Sequence, residues 1–125
     1  MVLVVDDNPV QAFTRKAILA RAGFDVETAY SAAAAFEALE NDSNHNISLV
    51  ITDHIMPGES GCHFVKQLWE CRAGLPVMVL SGMAEAEADY AGLDITFRTK
   101  PIQPQELIDL TMKLSASKPT STPLS

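Results

Sequence analysis

Three kinds of polar side chain in this 125-residue sequence stand where they could act together. Asp6 and Asp7 follow directly on the apolar run Val2-Leu3-Val4-Val5. Asp53 closes the run that begins Leu49-Val50-Ile51, Ser81 closes Val77-Met78-Val79-Leu80, and Lys100 follows the weaker run around Ile95-Thr96-Phe97-Arg98. Three carboxylates brought to one place repel one another unless a cation is among them, and an all-oxygen ligand set selects a hard ion, Mg²⁺ or Mn²⁺. Lys100 adds a mobile positive charge and Ser81 a hydroxyl donor, and together these can hold the oxygens of a phosphoryl group beside such an ion. The set points to phosphoryl chemistry on a carboxylate.

For these residues to meet, the runs that carry them must lie side by side. Val2–Val5, Leu49–Ile51 and Val77–Leu80 are unbroken and β-rich, which suits central strands covered on both faces. Asp25–Ala29 alternates polar with apolar and Ile95–Arg98 does so more weakly, which suits strands near an edge. Helical patterns fill the gaps. In the first, Val10, Phe13, Ala17 and Ala20 recur at helical spacing after Asn8-Pro9, with Gln11 expected to complete a capping box and Gly23 to close the helix. Ser31–Glu40, Gly61–Cys71 and Pro104–Leu114 each carry an apolar face, whereas Met83–Tyr90 has room for only about two turns before Gly92. Strict alternation of strand and helix predicts a parallel sheet with right-handed crossovers, whose ligand site lies at the carboxyl ends of the central strands. Each candidate residue falls at such an end.

Length supports one hydrophobic core and one domain. Eight of the last eleven residues, Ser115–Ser125, are Ser, Thr or Pro, a composition that cannot build a core and is expected to form a tail or linker beyond a domain spanning 1–114. A formal charge of -7 disfavours direct binding to nucleic acid or to an anionic membrane surface. The N-terminal residues lack the positive flank of a signal peptide, and the longest apolar stretch, around Leu75–Ala84, is broken by Pro76, Ser81 and Gly82, so membrane insertion is not expected. Cys62 and Cys71 are nine residues apart in one expected helix. That places them about 180° around its axis and roughly 13 Å along it, beyond disulfide reach, as in a cytoplasmic protein. His54 should point away from Asp53 by strand alternation, and Cys62-His63 lack the spaced partners of a zinc site.

Five separated motifs, in order, resemble the receiver domain of two-component response regulators: Val2 to Pro9, Asp53 to Gly61, Leu80-Ser81-Gly82, Phe97, and Lys100-Pro101. The resemblance covers about residues 2 to 114. It implies a three-layer, flavodoxin-like fold with a five-stranded parallel sheet in the order 2-1-3-4-5. It further implies that Asp53 accepts a phosphoryl group from a phosphohistidine on a histidine kinase or histidine phosphotransfer protein. Mg²⁺ (or Mn²⁺) would be bound by Asp7, Asp53 and the backbone carbonyl of Ile55, and by Asp6 through water. Ser81 and Lys100 would grip the phosphoryl oxygens, Phe97 would be the switch aromatic, and Lys100-Pro101 would be cis. Such a chain is a signalling switch, catalytic only on its own aspartyl group. It either stands alone or serves a larger regulator or hybrid histidine kinase through an output domain, another partner or a homodimer.

The span from Ser81 to Lys100 is shorter than usual for the family, which bears on the fourth helix and the face it forms. Two other readings of the same acids fit less well. A phosphatase of the haloacid-dehalogenase kind needs a second acid where Ile55 stands, and a flavodoxin-like FMN carrier would place its phosphate loop where Asp6-Asp7-Asn8-Pro9 puts negative charge.

Overall fold

Each unbroken apolar run becomes a strand buried on both faces. The computed structural model describes residues 1–53 and 61–116. Along the chain come β1 (Val2–Val5), α1 (Pro9–Arg21), β2 (Val26–Ala29), α2 (Ala32–Asn41), β3 (Leu49–Asp53), α3 (Gly61–Cys71), β4 (Val77–Ser81), a 3₁₀ helix (Ala84–Tyr90), β5 (Thr96–Thr99) and α4 (Pro104–Ala116). The strands pair in parallel in the order β2-β1-β3-β4-β5, the doubly wound topology expected.

Because successive side chains on a strand point to opposite faces, one apolar run feeds two cores. Leu3, Val5, Val50, Val77 and Val79 pack with Ala35 and Leu39 of α2 and with Phe64, Val65 and Leu68 of α3. Val2, Val4, Leu49, Ile51, Met78 and Leu80 pack on the other face with Ala12 and Leu19 of α1 and Leu107 of α4. Burying each large aliphatic side chain contributes about 1.5–3 kcal/mol, so the two cores fix the register of all three central strands. That register sets Val5 beside Thr52 and Asp53 beside Leu80, and thus brings the polar strand ends to one edge.

The first helix forms where expected but presents a different face. Val10 and Phe13 are 73% and 70% exposed, while Ala12, Arg15 and Leu19 are the buried positions. Helical spacing determines a period and leaves the phase open. Here Ala12 and Leu19 pack into the core and Arg15 turns inward with them, a residue that a hydrophobicity pattern counts as outward-facing. The capping box is also only half made. Asn8 Oδ1 accepts from the Val10 and Gln11 N–H groups at 2.9 and 3.3 Å, but the Asn8 N–H donates to Asp6 Oδ1 at 2.9 Å rather than to Gln11. Gly23, at φ +102°, ends the helix in the left-handed region, its N–H donating to the Ala20 carbonyl at 3.0 Å.

The short fourth helix is a 3₁₀ helix of seven residues that buries Ala86 and Tyr90. A 3₁₀ helix rises about 2.0 Å per residue against 1.5 Å for an α-helix, so it covers more of the distance from β4 to β5 with the few residues available. Lys100-Pro101 is cis, as the resemblance implied. Helix α4 continues to Ala116, two residues past the expected boundary, and the rest of the Ser/Thr/Pro-rich segment lies outside the described residues. Cys62 and Cys71 both lie on α3 and form no disulfide.

Candidate functional site

The carboxyl edge of the sheet gathers the expected residues from four strand ends. Asp6 and Asp7 follow β1, Asp53 ends β3, Ser81 ends β4 and Lys100 follows β5. Among the described residues, one carboxylate oxygen from each of Asp6, Asp7 and Asp53 lies within 4.8 Å of the others. Asp6 is fully buried, Asp53 half-buried and Asp7 exposed, so the cluster opens to solvent on one side. Hard oxygen donors this close, with an open side for water, fit a small divalent cation such as Mg²⁺. Ile55, whose backbone carbonyl was expected to complete the ligand set, lies outside the described residues, as does His54.

Lys100 is held beside Asp53, with Nζ 2.7 Å from Oδ1. The Lys100 N–H donates to the Ser81 carbonyl at 2.7 Å, which ties the end of β5 to the end of β4 and sets where the lysine side chain starts. Ser81 is buried. Its hydroxyl accepts from the Met83 N–H at 3.0 Å and donates to the Met83 carbonyl at 3.3 Å, so it closes the turn after β4. Phe97, on β5, is buried with its ring 5.9 Å from that of Tyr90. Burial pushes the Tyr90 hydroxyl's pKa up, and the nearby Cys62, Asp89 and Asp53 push it further, so the hydroxyl stays protonated.

The sequence reading missed three residues of this neighbourhood. Arg15, on the inner face of α1, lies 2.5 Å from Asp6 Oδ2 through NH1, and both side chains are buried. Gln11 Oε1 accepts from Lys100 Nζ at 3.0 Å and from Arg15 NH2 at 3.3 Å. Tyr90 covers Phe97. Asp6, Arg15, Gln11, Lys100 and Asp53 thus form one continuous chain of polar contacts across the edge. The stripe Ala12, Arg15, Leu19 at i, i+3, i+7 was the available signal for Arg15, because a cation on an inward stripe needs an anion opposite.

The response regulator receiver domain family matches residues 2–111, and the chain belongs to it. The aerobic respiration control protein ArcA of Escherichia coli is 34% identical over 109 residues, which are 85% of this chain and 44% of that protein. The hydrogenase transcriptional regulatory protein HoxA of Bradyrhizobium diazoefficiens is 34% identical over 112 residues, 86% of this chain and 22% of that one. The chain therefore spans less than half the length of these curated relatives. A response regulator receiver protein from Pseudomonas putida superposes with a TM-score of 0.81 at 32% identity, covering 90% of this chain and 94% of that one. A CheY-like receiver domain from Methanospirillum hungatei gives 0.81 at 25% identity over 94% of each chain. The chain is a two-component receiver domain, a domain that works as a signalling switch, with the flavodoxin-like fold. No described helix is long and apolar enough to cross a membrane.

Proposed function

We propose that Asp53 accepts a phosphoryl group from a phosphohistidine on a histidine kinase or phosphotransfer protein, in a reaction that needs Mg²⁺ (or Mn²⁺). The observation that carries this reading is the Asp53 carboxylate, paired with Lys100 at 2.7 Å and sharing the edge with Asp6 and Asp7. In the transfer, an Asp53 oxygen attacks phosphorus in line with the donor bond. The O–P bond forms as the P–N bond breaks, and the electron pair stays on the imidazole nitrogen, which takes up a proton. Asp7, Asp53 and the Ile55 carbonyl would hold the cation directly and Asp6 through water, and the bound cation would neutralise charge on the phosphoryl oxygens. Lys100 needs no long movement to follow the charge from Asp53 Oδ1 to a phosphoryl oxygen.

Ser81 and Phe97 form the readout. For the Ser81 hydroxyl to bond a phosphoryl oxygen it must leave both Met83 contacts, which frees the turn leading into the 3₁₀ helix; Tyr90 of that helix packs on Phe97. The phosphorylated edge is thereby linked to the face formed by β5 and the 3₁₀ helix, which an output domain, a partner or a second copy would read. Val10 and Phe13, exposed at the start of α1 beside the acids, offer a donor protein an apolar contact. The receiver domain is assigned to 1–114 on the sequence pattern, with the last turn of α4 closing it at Ala116 and a tail or linker after it, and the protein to the cytoplasm, in keeping with the thiols of Cys62 and Cys71.

Acetyl phosphate can stand in for the phosphohistidine. Incubated with it and Mg²⁺, the wild-type protein should gain the mass of one phosphoryl group, and Asp53→Asn should gain none. Equal labelling of the two, or labelling of wild type that survives removal of the cation by EDTA, would refute the reading.

A further inference from the structure

We infer that Arg15 is a built-in countercharge that shares Asp6 with the divalent ion and holds the pocket's intrinsic Mg²⁺ affinity down. The inference rests on the metal site proposed above and concerns how that site is tuned.

Asp6 is 0% exposed and Arg15 8%, so water screens neither well. Both Asp6 oxygens already have partners: Oδ1 accepts from the Asn8 N–H at 2.9 Å and Oδ2 from Arg15 at 2.5 Å. The guanidinium is anchored on its other side by Gln11 at 3.3 Å, and Gln11 in turn holds Lys100 at 3.0 Å. The acid pocket therefore contains two fixed cations against three carboxylates before any metal arrives. An ion entering next to Asp6 meets an oxygen whose charge is largely answered and a guanidinium that repels it at short range, where the effective dielectric is low.

The balance changes when a phosphoryl group is present, because its added negative charge favours the ion and leaves Arg15 where it is. Arg15 thus makes metal occupancy depend more strongly on the phosphoryl group than it would in a pocket of bare acids. Arg15 acts through Asp6, its ion-pair partner, and is a positioning residue.

The test is thermal unfolding of the full chain across a titration with Mg²⁺ alone, in which the rise in Tm reports the metal's affinity for the folded state. Arg15→Met keeps most of the side-chain volume and removes the charge. It should melt lower than wild type without metal, because Asp6 stays buried without its partner, and should show an apparent Mg²⁺ Kd about 3–10-fold lower than wild type. Arg15→Lys, which restores a cation, should return the Kd toward the wild-type value.

If Arg15→Met does not fold without metal, the comparison moves to Asp6→Asn against Asp6→Asn/Arg15→Met. The single variant leaves a lone cation facing the pocket and should bind Mg²⁺ more weakly than the double. An unchanged or weaker Mg²⁺ affinity on loss of the Arg15 charge, with a clear Tm rise in wild type, overturns this inference alone. No Tm rise in wild type overturns the metal site and the inference together.

Discussion

At the amino-terminal end of the sheet Asp42 pairs with Arg72 at 3.1 Å; at the carboxyl end Asp6 pairs with Arg15 at 2.5 Å. In both pairs the carboxylate is buried and also accepts from backbone N–H groups, yet their surroundings differ. Asp42 accepts from the Asn46 and Ile47 N–H groups at 2.8 and 2.7 Å, and Arg72 donates back to the Ile47 carbonyl at 3.0 Å. Both Asp42 carboxylate oxygens and both terminal nitrogens of Arg72 meet partners within that clasp, which pins the loop before β3 to the end of α3. The Asp6–Arg15 pair sits among further acids and passes through Gln11 to Lys100 and Asp53. A pair that closes on itself holds a fold together, whereas one embedded in surplus charge of one sign is poised to respond when another ion or a phosphoryl group arrives.

The sharpest way to break this contrast is at Arg72. Arg72→Met leaves Asp42 buried without its cation and should lower unfolding free energy by about 2–4 kcal/mol in urea titrations. It should leave the Mg²⁺-dependent rise in Tm as in wild type. A change in that rise would show that the two ends of the sheet are not independent.

A smaller effect is expected from acid. Burial alone would raise the Asp42 pKa, but the hydrogen bonds from Ile47 and Asn46 and the Arg72 guanidinium outweigh it and hold it below the ordinary 3.8. A carboxylate lowered by folding contributes stability that is fully present above its unfolded pKa and is lost as pH falls through the folded value. Asp42→Asn should therefore be less stable than wild type at pH 6 and lose less on further acidification. Parallel urea-midpoint curves for the two proteins from neutral to acid pH would contradict this.

The smallest effect concerns the link between the site's cations. Gln11→Leu removes the acceptor that steadies Lys100 and should slow labelling by acetyl phosphate about 2–10-fold, the worth of one hydrogen bond, with little change in melting temperature. An unaltered rate would mean that Asp53 alone places the lysine.

Much of this was legible in the sequence because it depends on local pattern. The three apolar runs had to be strands covered on both faces, and Asp6, Asp7, Asp53, Ser81 and Lys100 fall at the carboxyl ends of strands in the sequence itself. What stayed hidden depends on phase and on long-range pairing. The Val10, Phe13, Ala17, Ala20 stripe has the right period for α1, but Val10, Phe13 and Ala20 are exposed and Ala17 is only half-buried. The inward face is Ala12 and Leu19 with Arg15 between them, and a cation paired with Asp6 on that face interrupts the hydrophobic pattern that would have marked it. Gln11 looked like half of a capping box because its spacing from Asn8 was right, whereas its Oε1 accepts from Arg15 and from Lys100, 89 residues away. Tyr90 gave no signal because its role comes from a 3₁₀ helix whose register follows from the short span between β4 and β5.

The central claim is that the charge-balanced edge directs a phosphoryl group to one carboxylate. The direct measurement is to label the protein with acetyl phosphate and Mg²⁺, reduce the acyl phosphate with borohydride, and map the resulting homoserine by peptide mass spectrometry. Conversion is expected at Asp53 alone, and only when the divalent cation is present. Conversion at Asp6 or Asp7, or a phosphate ester on Ser81 that borohydride leaves intact, would contradict it.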